Sequence, residues 1–372
     1  MTTPTAPAAA APATTTPANF RGNTQPTVGV GGSSTQTEAM TTATQPLTTW
    51  FLPPNNVIRG IVIEVTAVVP SNNSASVAFN ADAPLNWAST LAWATSGGTP
   101  IVGTFNSYDH ACVQKYGGYA SQNDPRESAV YFATTGTGNA GGNFTLVQRI
   151  PVEVISRSGL GSLSNTSTES PMQLQMTLNS STAIYSTAPT ALPNVTVKCS
   201  VLGYWSGPSG RATPLAFGTT SFWNEQTYNG MSGQQNITLQ APPGFGNPQR
   251  TWIFINRLTS GGARSSTAFP ATTLLQFRGN PLLNSIDQLL WQDEMSRSYG
   301  YSNAIDTPGG LDTGVFIVNF NRGTFTNGVG SESTKGYLDT DGGDPLAING
   351  SFPSSSTLYL LSNFLNVVGN LS

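Results

Sequence analysis

The sequence predicts an all-β protein: two tandem eight-stranded jelly-roll β-sandwiches with short helices, preceded by a low-complexity arm. Three observations lead there. First, only 9% of the 372 residues are charged, while 39 Gly and 26 Pro join abundant Ser, Thr and Asn in supplying turns. A helical protein needs Ala, Leu, Glu and Lys along its faces instead. Second, short β-branched or alternating segments recur through most of the chain. Third, one order of features occurs twice.

Taken in order, residues 1–45 carry only Arg21 and Glu38 as charges and Phe20 as the sole aromatic. Such a segment buries too little apolar surface to offset its ordering entropy, so it reads as an arm, disordered or pinned by a partner. The first sandwich is expected over 46–207. It opens with VIRGIVIEVTAVV (57–69) and continues with FTLVQRIPVEVI (144–155). In MQLQMTL (172–178), Met172, Leu174, Met176 and Leu178 share one face. In VTVKCSVLGYW (195–205), Val195, Val197, Cys199 and Val201 point inward. Residues 208–235 read as a linker and 236–372 as the second sandwich. Its strand candidates are 236–241, 251–258, 272–279, 314–320, 345–350 and 357–368. One helix is expected over 285–297, capped by Asn284 or Ser285 with Asp287 in its first turn.

The repeat is anchored by NSYDHACVQKYGGY (106–119) and NSIDQLLWQDEMSRSYGY (284–301). Upstream of each lie a Pro-Pro turn, an arginine (Arg59, Arg250) and an apolar strand. Downstream of each, the half closes on a bulky apolar strand. A repeat this long marks a duplicated domain, since solenoid units are far shorter.

Little chemistry is written in the side chains. His110 is the only histidine. Its neighbour Asp109 points elsewhere on a helix, so the two make no dyad. A zinc site needs three or four ligands and the chain has only two cysteines and one histidine in all, so none is expected. Asp339, Asp341 and Asp344 in DTDGGD offer oxygens to Ca²⁺ but lack the spacing of an EF-hand, and a polar hairpin turn is the plainer reading. No enzyme and no cofactor are expected. Net charge is −3 with no basic run, which gives no sign of nucleic-acid binding. The N-terminus has no secretory pattern and no apolar run reaches the ~18 residues of a membrane span. A chain that stays in the cytosol where it is made is expected. Trp87, Trp93, Trp205 and Trp223 fall in or beside loops and read as exposed aromatics, suited to anchoring a neighbouring subunit or stacking on a sugar.

LPPNNVIRGIVIEV and the run from LLQFRGNPLLNSIDQLLWQDEMSRSYGY through GGLDTGVFIVNFNRG to GYLDTDGGDPLAINGSFPSSSTLYLLSNFL resemble the double jelly-roll major capsid proteins of tailless icosahedral viruses with an internal membrane, the tectivirus-like group. The resemblance spans about residues 46–372 and rests on feature order. It implies a structural protein whose homotrimer forms a pseudo-hexagonal capsomer of six barrels that tiles an icosahedral shell. It also implies contacts with neighbouring capsomers, penton and minor capsid proteins and an internal viral membrane. The location would be the virion capsid, after synthesis in the host cytoplasm. The alternative is an extracellular or phage-tail β-sandwich that binds glycans.

Overall fold

A computed structural model describes residues 25–54, 56–70, 76–95, 98, 100–117, 128–138, 141–152, 161–165, 171–205, 219–239, 249–299, 312–320, 338 and 346–367. The first half contains β1 (Gln25–Ala39), β2 (Gln45–Pro46), β3 (Trp50–Phe51), β4 (Asn56–Val68), β5 (Ala78–Phe79), β6 (Ala88–Ala94) and β7 (Pro100–Phe105). Helix α1 (Ser107–Tyr116) follows, then β8 (Phe132–Ala133), β9 (Phe144–Pro151), β10 (Leu163–Asn165), β11 (Gln173–Leu178), helix α2 (Ser181–Ile184), β12 (Tyr185–Thr187) and β13 (Asn194–Trp205). The second half contains β14 (Thr219–Leu239), β15 (Gln249–Leu258), β16 (Thr272–Phe277), β17 (Asn280–Asp287), helix α3 (Gln288–Tyr299), β18 (Val315–Asn319) and β19 (Leu346–Val367).

In the first half one sheet runs β1-β13-β4-β9-β8, and β11 pairs with β6, β2 and β3 in the facing sheet. Alternation decides which residues face the core: Leu174, Met176 and Leu178 of β11 are buried, as are Val195, Val197, Cys199 and Val201 of β13. The second half repeats the order. Here β14 pairs with β19, β19 with β15 and β15 with β18, all antiparallel. The series β14-β19-β15-β18 thus matches β1-β13-β4-β9. In each half a helix precedes the fourth member, α1 before β9 and α3 before β18. The duplication is a property of the topology as well as of the sequence.

This match corrects both expected boundaries. Residues 25–39 are not arm but β1, with Ala39 opposite Asn194. Residues 219–235 are not linker but most of β14, which pairs along β19. Both are the first strand of their roll. Likewise the described residues of the candidates 345–350 and 357–368 are parts of one strand, β19, whose Ser-rich middle faces the Asn229–Gly233 stretch of β14. The register shifts there, and Gly230 and Gly233 take φ of +71° and +66°.

The two NS-x-D motifs fold differently. Asn106 caps α1, its Oδ1 accepting the Asp109 N–H at 2.9 Å. The matching Asn284 and Ser285 lie in β17, and Ser285 has φ +50°. Helix α3 starts three residues later than expected, with Asp287 Oδ1 accepting the Leu289 N–H at 2.8 Å.

The buried apolar cluster runs through both halves and contains large aromatics in each. Trp87 donates from Nε1 to Gln148 Oε1 at 3.0 Å, and Gln148 donates back to the carbonyl of Ser107 at the start of α1. Trp291 of α3 donates to the Ile317 carbonyl of β18 at 2.8 Å and packs with Phe254, Phe269 and Phe316. In both halves a tryptophan ties the helix region to the strand that follows it.

Candidate functional site: the seam between the two rolls

The two halves meet along α1. Nine of its ten residues are buried, among them Asp109, His110 and Lys115. A buried helix carrying charge needs partners, and the second half supplies them. Lys115 Nζ lies 2.8 and 2.9 Å from the two Asp312 oxygens, both side chains fully buried. Arg257 at the end of β15 reaches Asp82 at 2.5 Å and stands 3.7 Å from Asp109. Arg264 donates from Nε to Asp82 at 2.6 Å and from Nη1 to the Thr313 carbonyl at 2.6 Å. Its guanidinium also lies 4.4 Å from the centre of the Tyr108 ring. Tyr116 of α1 packs edge-on against Tyr299 of α3 at 5.4 Å. These are the matching tyrosines of the two repeated motifs, so the duplicated segments touch each other.

Burial opposes ionisation of Asp82, but the two guanidiniums outweigh it and hold the carboxyl below its ordinary range. Burial raises Asp109 to about 6, opposed by Arg257. Glu225 of β14 is raised to about 8 by burial and by the facing Asp109. His110 is pushed down to about 4 by burial; it stacks on Phe105 and its Nε2 sits 3.0 Å from the Leu91 carbonyl. It is a core histidine, not a helix-surface or intersubunit one.

The turn that carries Asp312 packs against Asn256 and Ser265 and leaves no room for a side chain at Gly314. Its φ is +69°, and an added Cβ would sit 2.8 Å from both Asn256 O and Ser265 N. Gly314→Ala is expected to destabilise the chain by about 3 kcal/mol, from left-handed strain plus overpacking. The urea midpoint of unfolding measures it, and an unchanged midpoint would contradict the packing described.

The exposed-tryptophan expectation is corrected. Trp87, Trp93 and Trp223 are buried, at 0%, 0% and 2% exposure. Trp87 belongs to the first core. Trp93 and Trp223 both pair with Val102, where β14 meets β7 in parallel and the sheets of the two halves join. They are contacts inside one chain, not anchors on its surface. Trp205 ends β13, opposite Gln25. Asp339, Asp341 and Asp344 lie outside the described residues. Among the described residues no group of three or more His, Cys, Asp or Glu is placed to hold a metal ion.

Sequence reasoning overlooked Asp82, Lys115, Glu225, Arg257, Arg264 and Asp312. A signal was present. In a chain with 15 basic and 18 acidic residues, an arginine closing the apolar run TWIFINRL is out of place unless paired.

No family model matches the sequence, and no curated protein is detectably similar to it. Solved structures are similar in fold. The major capsid protein of Sulfolobus turreted icosahedral virus shares 16% identity over 91% of this chain and 97% of its own, with a TM-score of 0.59. A chain of the PBCV-1 virus capsid shares 12% over 90% and 94%, with a TM-score of 0.56. The major capsid protein of bacteriophage PM2 shares 8% over 91% and 99%, with a TM-score of 0.53. The chain has the double jelly-roll fold of these viral major capsid proteins.

Proposed function

We propose that the chain is the structural major capsid protein of an icosahedral virus. One observation carries this: two halves that share a four-strand series are locked side by side by buried ion pairs, in a fold that capsid proteins share over nine-tenths of the chain. Three such chains would present six similar barrels, a pseudo-hexagonal capsomer that tiles a shell. The rigid seam fits that role, because a tile must hold its two barrels at a fixed angle. The surface fits it too. Leu289 and Leu290 in the first turn of α3 are 62% and 52% exposed, and Phe51 is 59% exposed. On a chain with so few charges, a neighbouring copy is the natural cover for them. Penton and minor capsid proteins and an internal membrane are the further partners of this reading. The virion capsid, after synthesis in the host cytoplasm, is its location. The glycan-binding alternative loses three of its four tryptophans to burial.

Sedimentation of the purified protein at micromolar concentration tests the proposal. A mass near three chains is expected. A persistent monomer would overturn the capsomer, because six-barrel tiling needs the trimer.

A further inference from the structure

We propose that Asp109 and Glu225 share one proton across the seam, making the joint between the rolls a proton-dependent latch, firm in mild acid and loosened when that proton leaves. The two residues come from opposite halves, Asp109 from α1 and Glu225 from β14. Glu225 is paired opposite Leu361, on the face that also carries Tyr359, and the Arg257 guanidinium lies 6.0 Å from the Tyr359 ring and 3.7 Å from Asp109. Asp109 Oδ1 and Glu225 Oε2 are both buried with no hydrogen-bond partner. Carboxylates only accept, so two such oxygens brought together without a donor call for a proton on one of them.

Charge balance points the same way. Among the described residues, the titratable and charged groups facing the pair can be named. Tyr108 and Cys112 come from α1 and Asp82 from the turn after β5. Arg257 and Arg264 come from β15 and the turn beyond it, and Tyr359 from β19. The tyrosines and the thiol are neutral, held so by burial. That leaves two guanidiniums against three carboxyls. Asp82 takes the close contacts of both guanidiniums, at 2.5 and 2.6 Å, and Arg257 stands 3.7 Å from Asp109. Three ionised carboxyls would leave one buried negative charge without a counterpart; one proton removes it. Lys115, further along α1, is paired with Asp312 of the second half.

The direction of the pH effect follows. Burial raises both carboxyls above their unfolded values, Asp109 to about 6 and Glu225 to about 8, helped at Asp109 by the Asp82 charge and at Glu225 by Asp109. The folded chain therefore binds the proton more tightly than the unfolded chain. The stabilisation is complete below the unfolded carboxyl range, declines as pH rises, and is gone above about 8. The latch lies within one chain, so it does not rest on the capsid reading.

The test is thermal unfolding of the full chain between about pH 5 and pH 9. The wild-type midpoint is expected to fall across this range by on the order of several degrees. Glu225→Gln keeps a donor to Asp109 and removes the titration. Its profile is expected to be nearly flat, and it should be the more stable protein at the alkaline end. A Glu225→Gln profile parallel to the wild type would overturn the latch. Where that variant fails to fold, infrared spectroscopy of the wild type decides. A protonated-carboxyl band at neutral pH that titrates away near pH 8 supports the shared proton, and absence of the band refutes it.

Discussion

Replacing Lys115 with methionine should lower the unfolding free energy by about 3–5 kcal/mol. Lys115 and Asp312 are both fully buried and only 2.8 Å apart. Methionine keeps the apolar stem but removes the cation, so the Asp312 carboxylate stays in the seam with that compensation gone. Desolvation then outweighs what the surroundings return. Exposure makes the contrast. Lys198 and Glu64 form a pair at 3.0 Å with both side chains 45% exposed, and Lys198→Met should cost less than about 1 kcal/mol. The double variant Lys115→Met, Asp312→Leu should recover most of the loss, because an apolar pair of similar volume tolerates the site. Urea unfolding of the singles and the double closes the cycle. A Lys115→Met midpoint equal to that of Lys198→Met would show that the pair is not buried as described.

Asp82→Ala should cost about 3 kcal/mol or more. Asp82 is in close contact with both Arg257 and Arg264, and its side chain is 13% exposed. Without it, two guanidiniums that sit within reach of the Tyr108 ring repel each other across the gap. Asp82→Asn should cost less, because the amide oxygen still accepts from one arginine. Strong acid imitates that substitution. The carboxyl of Asp82 is held below its ordinary value, so its stabilisation is present above the unfolded value and disappears as pH falls through the folded one. Wild-type chain should therefore lose stability in strong acid, and Asp82→Asn should lose less over the same interval. Equal acid sensitivity in both proteins would remove Asp82 from this role.

The inner strands were legible because burial imprints a period on them. MQLQMTL alternates, and its buried residues are those the alternation selects. In TWIFINRL the four residues Trp252, Ile253, Phe254 and Ile255 are apolar without alternation because β15 is buried along nearly its whole length. The first strand of each roll, apart from the end of β14 at 236–239, was illegible for one shared reason. QPTVGVGGSSTQTEA and TTSFWNEQTYNGMSGQQNITL are rich in Gly, Ser, Thr and Gln. Their pairing is set by the closing strand beside them rather than by an apolar face of their own. The tryptophans misled because a turn-like neighbourhood says nothing about which way an indole points. The seam was hidden by distance: Asp82 and Arg264 are 182 residues apart in sequence, and Lys115 and Asp312 are 197 apart. No local window contains both members of either pair.

The position of β19 has a consequence for how the chain is made. Synthesis runs from the N-terminus, so β13 emerges in time to close the first sheet while most of the second half is still untranslated. In the second half β14, β15 and β16 all pair with β19, the last strand delivered. Until it arrives, the nascent chain holds a finished first roll whose helix carries Asp109 and Lys115 without Arg257, Arg264 and Asp312 beside them. A ribosome stalled before β19 would therefore present a charged, half-dressed helix and unpaired strand edges together, the features that chaperones hold and that drive premature association.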